Sequence, residues 1–175
     1  MNQKFLDDYK RMIGCEYKFG LRTIVQILGR HHIRYMYWWR SYEAKPNKIK
    51  KLILYRYAQK YGIEISTTAS IGSGLNLGHP YNITVGGNVT IGNHVNIHKG
   101  CTIGRENRGK REGVPTICDN VWIGINSTVV GKITIGSDVM ICPNSFVNFD
   151  VPDHSIVIGN PGVIHYKNNA TEGYL

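Results

Sequence analysis

The sequence predicts a mainly β protein: a parallel β-helix of six-residue repeats over residues 63–165, preceded by a basic α-helical segment, 1–62, and followed by a short tail, 166–175. Three observations carry that reading. A branched apolar residue recurs every six positions from Ile65 to Val147, apart from two skips. Apolar spacing of helical type runs through the N-terminal segment and stops at Gly62. The formal charge of +9 divides at the same point: residues 1–62 hold 14 Lys/Arg against 4 Asp/Glu, and residues 63–175 hold 7 against 8.

In chain order, Asn2 or Asp7 is placed to cap a first helix that ends before Gly14 or Gly20. A second helical segment runs from Leu21 to Tyr42, interrupted at Gly29. A third, Lys48–Tyr61, follows Pro46 and stops at Gly62. There Ile49, Leu52, Ile53, Arg56 and Tyr57 follow i, i+3, i+4, i+7 spacing, which predicts one apolar and one cationic face.

From Ile63 the rhythm changes. Ile65, Ile71, Leu77, Val85, Ile91, Ile97 and Ile103 are followed, after a gap, by Ile117, Ile123, Val129, Ile135, Ile141 and Val147, thirteen hexads in one phase. A second small or apolar residue often sits four places on, as at Val89, Val95, Cys101 and Val121. A period of six fits neither a 3.6-residue helix nor plain strand alternation. It fits short strands joined by tight turns, three hexads closing one triangular coil, with branched residues stacked inside and Gly or Asn at turn positions of positive φ. Coils then rise by about 4.8 Å, the spacing of paired strands. Thirteen hexads make a little over four coils.

The beat breaks twice. Between Leu77 and Val85 the spacing is eight, the extra pair lying in Gly78-His79-Pro80-Tyr81-Asn82. Between Ile103 and Ile117 it is fourteen, leaving a loop, Gly104–Thr116, that carries Arg105, Arg108, Lys110 and Arg111. Neither break serves the solenoid. Insertions of this kind extrude on one face, often the binding face.

The repeat resembles the left-handed parallel β-helix of the hexapeptide-repeat acyltransferases. Handedness rests on that resemblance, since crossover connections normally run the other way. The two breaks are similar to those of serine acetyltransferases and of capsule-type acetyltransferases. Leu77-Gly78-His79 falls on the family's Leu-Asp-His, which puts His79 on its catalytic histidine. Ile63-Glu64-Ile65 falls on Val-Asp-Ile, whose acid pairs with that histidine, so the resemblance gives Glu64 that role. Asp119–Gly124 and Gly159-Asn160-Pro161-Gly162 match later signatures. The resemblance implies a homotrimer with acetyl-CoA in a groove between prisms, for which Gly104, Arg105, Arg108, Trp122, Gly124 and Lys132 are the candidate binding residues.

The chemistry suits these residue types. A hydroxyl needs a base to remove its proton as it attacks a thioester, and neutral imidazole has the pKa for that task. A carboxylate on the other ring nitrogen fixes the tautomer. Gly-rich turns can offer backbone N–H groups to the oxyanion. The loop cations suit the phosphates of coenzyme A or an activated sugar; a merely solvated loop is the plainer alternative. Trp122 precedes an inward Ile and so points outward, where it either packs at a subunit interface beside the acyl chain or caps nothing of importance.

The departures from the family concern the acceptor. Gly78 replaces an Asp placed to meet a substrate ammonium. Glu112-Gly113-Val114-Pro115 replaces Asp-Arg-His-Pro, so Gly113 and Val114 stand where an amino acid's carboxylate would be met. The expected reaction is acetyl transfer from acetyl-CoA to a hydroxyl of a sugar in a surface polysaccharide or its precursor. Serine O-acetyltransferase is the second reading. A non-catalytic trimeric scaffold is the third, and intact His79 and Glu64 speak against it.

No metal is expected: the cysteines lack metal spacing, and His94 and His98 hold different places in their hexads, so they should face apart. Cys15, Cys101, Cys118 and Cys142 read as reduced core residues. The first thirty residues are charged throughout with no apolar leader, and no run approaches the roughly 20 residues of a membrane span, which reads as a cytoplasmic chain. Arg30–Arg40 and Lys48–Tyr61 mix aromatic and basic residues, suited either to peripheral contact with an anionic inner membrane or to capping the open end of the β-helix. Because the basic excess is confined to this segment, nucleic-acid binding is not expected.

Overall fold

A computed structural model describes residues 2–175, among which four helices and fifteen strands form. Helix α1 (Gln3–Ile13) starts at Asn2, whose side chain accepts the Lys4 N–H at 2.9 Å, and ends at Gly14 in the left-handed region. Helices α2 (Leu21–Gly29) and α3 (His31–Ala44) are the two halves of the segment expected to break at Gly29. Helix α4 (Lys48–Tyr61) is capped by Asn47 and stops at Gly62, φ 65°.

The buried face of α4 differs from the expected one. Leu54 is buried and Ile53, Tyr57, Ala58 and Tyr61 are half-buried, whereas Ile49 and Leu52 are 71% and 57% exposed. The helix docks on α3 and the first strand, with Tyr57 edge-on to Tyr35, and that docking turns the Ile49–Leu52 side to solvent.

The strands are β1 (Ile63–Ile65), β2 (Ser70–Ile71), β3 (Asn76–Gly78), β4 (Ile83–Val85), β5 (Thr90–Ile91), β6 (Asn96–His98), β7 (Thr102–Gly104), β8 (Thr116–Ile117), β9 (Val121–Ile123), β10 (Thr128–Val130), β11 (Thr134–Ile135), β12 (Val139–Ile141), β13 (Phe146–Val147), β14 (Ser155–Ile158) and β15 (Val163–Tyr166). They form a three-sided prism. The first sheet runs β1-β4-β7-β10-β13, the second β2-β5-β8-β11, and the third β3-β6-β9-β12-β14, closed by an antiparallel β15. Register stacks the hexad residues directly: Leu77 on Ile97 on Ile123 on Ile141 on Val157 in the third sheet. All thirteen are at most 4% exposed. Asn88, Asn120, Asn126 and Asn144 take positive φ at the corners. Val151, bridged to Ile135, and Val157 on β14 bring the prism close to five coils, more than the sequence count, which stopped where the spacing after Val147 shortens.

The helices close the open end of the prism. The Tyr35 hydroxyl accepts the Ile65 N–H at 2.9 Å, and the Trp39 indole donates to the Ile65 carbonyl at 3.3 Å. Arg40, fully buried, forms a two-pronged ion pair with Asp8 at 2.7 and 3.1 Å and donates to the Ile71 and Gly72 carbonyls. Of the two roles open to the Arg30–Arg40 aromatics, α3 therefore performs the cap. The tail docks back on the prism: Ala170 and Thr171 N–H groups donate to Asp138, and the Tyr174 ring lies 5.2 Å from Trp122. Cys15 is exposed, correcting its place among core cysteines; Cys101 is buried.

Candidate active site

His79 follows β3 at the corner where the third sheet gives way to the first. Its backbone is left-handed, φ 48°, a conformation His, Asn and Asp adopt more readily than most residues, and its ring is exposed. The next coil holds the turn from one side, with Lys99 N–H donating to the Gly78 carbonyl at 2.9 Å and Gly100 N–H to the Tyr81 carbonyl at 3.0 Å. From α4, the Tyr61 carbonyl accepts the Asn82 N–H at 3.1 Å. From α3, His31 Nε2 lies 2.9 Å from the Pro80 carbonyl, which can only accept, so that nitrogen carries the proton. His31 is stacked on Tyr61 at 4.1 Å and 12°. Sequence reasoning gave His31 no role, and no local pattern signals it, because its partner is 49 residues away.

A second histidine was also missed. The His98 ring lies 6.3 Å from His79 and 4.7 Å from Trp122, on which Tyr174 in turn rests. Burial, then the neighbouring His79, hold its pKa below the ordinary imidazole value. Its Nε2 is buried without a hydrogen-bond partner among the described residues. A Cβ on Gly78 would stand 2.5 Å from His98 Cε1 and Nδ1. The imidazole thus fills the space beside the turn that a side chain at position 78 would need. Trp122 points out of the prism as expected, yet it is only 9% exposed beneath Tyr174 and His98. Gly124 is buried against the Trp122 ring, where a Cβ would come 2.7 Å from Cζ3.

The other break is a short hairpin. Glu106 and Gly113 exchange N–H···O bonds of 2.9 and 3.0 Å, and Gly109, φ 82°, lies between them. Its base rests on the coil above through Lys132 N–H to the Arg111 carbonyl, 2.9 Å, and Gly131 N–H to the Gly104 carbonyl, 3.3 Å. Arg105, Arg108 and Lys110 are exposed and make no ion pair among the described residues; Arg111 donates to the Asn148 carbonyl. Lys132 is exposed and Gly104 half-exposed.

These groups do not converge within one chain. The hairpin leaves β7 for β8, at the corner between the first and second sheets, so it and His79 occupy different corners of the prism. Glu64, outward on β1, lines a cavity of about 290 Å³ with Tyr35, Lys51 and Tyr55, and no hydrogen bond joins it to His79 among the described residues. His94 packs against Gly74 and His98 against Gly78. Among the described residues, no group of three His, Cys, Asp or Glu could hold a metal ion.

Residues 115–148 match the family model described as bacterial transferase hexapeptide (six repeats). A serine acetyltransferase of Staphylococcus xylosus is 35% identical over 150 residues, covering 82% of this chain and 68% of the relative. One of Bacillus pumilus is 36% identical over 107 residues, covering 61% of this chain and 49% of the relative. A crystal structure of Neisseria gonorrhoeae serine acetyltransferase in complex with serine superposes with a TM-score of 0.77 at 25% identity, over 93% of this chain and 67% of that one. The chain spans 30% to 49% of the length of the Arabidopsis and Bacillus relatives.

Proposed function

The chain belongs to the hexapeptide-repeat transferase family, among relatives named serine acetyltransferase, and from that premise we propose that it moves an acetyl group from acetyl-CoA to an acceptor hydroxyl. The observation that carries this reading is the His79 turn, which presents an exposed imidazole on a backbone clamped by two helices and the next coil. In the proposed step His79 takes the hydroxyl proton as the oxygen attacks the thioester carbonyl. The C–O bond forms, the C–S bond breaks, and the proton passes to the departing thiolate of coenzyme A. Arg105, Arg108 and Lys132 meet the phosphates. Because the hairpin and His79 sit on different corners of one prism, the proposed enzyme is a trimer in which one copy's hairpin lies beside the next copy's His79. Glu64→Gln tests whether that carboxylate orients the imidazole. With acetyl-CoA as donor, the proposed compartment is the cytoplasm.

Serine is the first acceptor on this reading, because the relatives carry it in their names. That reverses the order suggested by sequence alone. A sugar hydroxyl remains the second reading on one specific observation. The His98 ring fills the space beside Gly78, and Gly113 backs onto the Lys132 side chain, so neither position offers an acid or an arginine to a zwitterion. A thiol-release assay with acetyl-CoA, offering L-serine and a panel of sugars side by side, decides between them. Turnover with serine alone supports the first reading and turnover with sugars alone the second. Binding of acetyl-CoA with no turnover on either would leave a scaffold.

A further inference from the structure

Helix α2 carries its apolar face outward. Among its nine residues only Thr23 is buried, while Leu21, Ile24, Val25 and Leu28, at i, i+3, i+4, i+7 spacing, form one stripe toward solvent. With Phe19 just before the helix, these side chains are between 43% and 89% exposed. Lys18, Arg22 and Arg30 flank them, all exposed. From Tyr17 to Gly62 the chain holds eleven Lys/Arg against one acid, Glu43, which is already paired with Lys4 at 2.9 Å and Arg40 at 3.2 Å.

We propose that this face of α2 docks on an anionic membrane surface. The aliphatic side chains and Phe19 enter the boundary between headgroups and acyl chains, while the flanking cations stay at the level of the lipid phosphates. Charge decides the occupant. A second copy docked face to face would bring together two segments of net +10. An anionic leaflet supplies the opposite charge and needs no shaped groove to receive a single helical ridge. The Arg30–Arg40 stretch that sequence suggested for such contact is unsuited to it, since Tyr35, Met36, Trp39 and Arg40 are buried in the cap. This docking does not depend on the acetyl-transfer reading.

The test is co-sedimentation of the full chain with vesicles of phosphatidylcholine alone and of equal parts phosphatidylcholine and phosphatidylglycerol, at low and high salt. Solution mass is measured by light scattering alongside. Binding is expected to the anionic vesicles only, weakening with salt. The double substitution Ile24→Glu, Leu28→Glu is expected to lower the partition coefficient more than ten-fold at unchanged solution mass. Arg22→Gln and Arg30→Gln, which leave the apolar stripe intact, are expected to lower it about five-fold each. Absence of binding by the native chain, or equal binding by the variants, overturns the proposal. So does a fall in solution mass of the Ile24→Glu, Leu28→Glu chain without lipid, which would make the face a contact between copies.

Discussion

The turn at Gly78–Asn82 is gripped by the next coil, by α3 and by α4, whereas the hairpin at Gly104–Thr116 is held at its base and at Arg111, with Arg105, Arg108 and Lys110 left exposed. Both are insertions into the same six-residue beat, placed at different corners of the prism. The difference matches the work each would do. A proton-transferring group gains from a fixed backbone, because orientation need not be rebuilt at the moment of reaction. A phosphate-binding arm gains from cations that can follow a flexible ligand. Removing His79 should therefore have the largest effect. His79→Ala is expected to lower kcat about 10²- to 10⁴-fold. Because the ring is exposed and its backbone bonds survive, stability should fall only by the roughly 1 kcal/mol that Ala costs at φ 48°; a chain that unfolds outright would contradict the clamped-turn description.

The next effect tests how tightly the turn is packed. Gly78→Ala drives a Cβ into the His98 imidazole, which Trp122 backs from the other side, and overpacking of this kind costs about 1–3 kcal/mol. Adding His98→Ala to the same chain should recover most of that loss in a double-mutant cycle read by urea unfolding. Additive losses would mean the ring is not what excludes a side chain there. A Gly78→Asp, His98→Ala chain extends the cycle to function, because it restores an acid beside His79; improved turnover with serine relative to the native chain is the expected result.

How much of this was legible in the sequence follows from the range of the interactions. Each inward residue from Ile65 to Val147 performs the same task in its own coil, so periodicity alone reveals it. Asn2 and Gly14 act within one helical turn and are readable as candidates, beside Asp7 and Gly20, between which the structure decides. The Asp8–Arg40 pair and the His31–Pro80 bond span 32 and 49 residues and recur nowhere, so nothing periodic marks them. The α4 face failed for a related reason: where apolar and basic residues mix on every side, the neighbouring α3 decides which side is buried. At Gly78 the sequence showed a missing acid, but only the stacking of β6 on β3 shows what fills its place.

The tail adds a third element to the comparison, because it reaches the turn through Tyr174, Trp122 and His98. Its anchor is Asp138. Burial alone would raise that carboxyl, but the Thr171 hydroxyl, His154 and the backbone N–H groups of Thr171 and Ala170 outweigh it and hold the pKa at about 2. A depressed carboxylate stabilises the fold fully above the unfolded value of 3.8, and the contribution is lost as pH falls toward 2. The stability gap between the native chain and Asp138→Asn should thus be at most about 2 kcal/mol above pH 4 and shrink in acid. A gap that is flat with pH would remove Asp138 as the anchor.

The smallest effect is expected at the hairpin, and it is the one that separates the two breaks most cleanly. Arg105 and Arg108 are exposed and take no part in folding, so Arg105→Gln, Arg108→Gln should unfold at the native midpoint. If they meet phosphates, the loss is one of uniform binding: KM for acetyl-CoA rises about ten-fold while kcat is unchanged. The effect should fade as added salt screens the same contacts. A fall in kcat with KM unchanged would place the hairpin in the chemical step, and the distinction between a clamped turn for proton transfer and an exposed cationic arm for binding would fail. No change in either parameter would reduce the hairpin to solvated surface. That outcome would leave an insertion whose base is pinned by Gly131 and Lys132 with no ligand to justify the pinning.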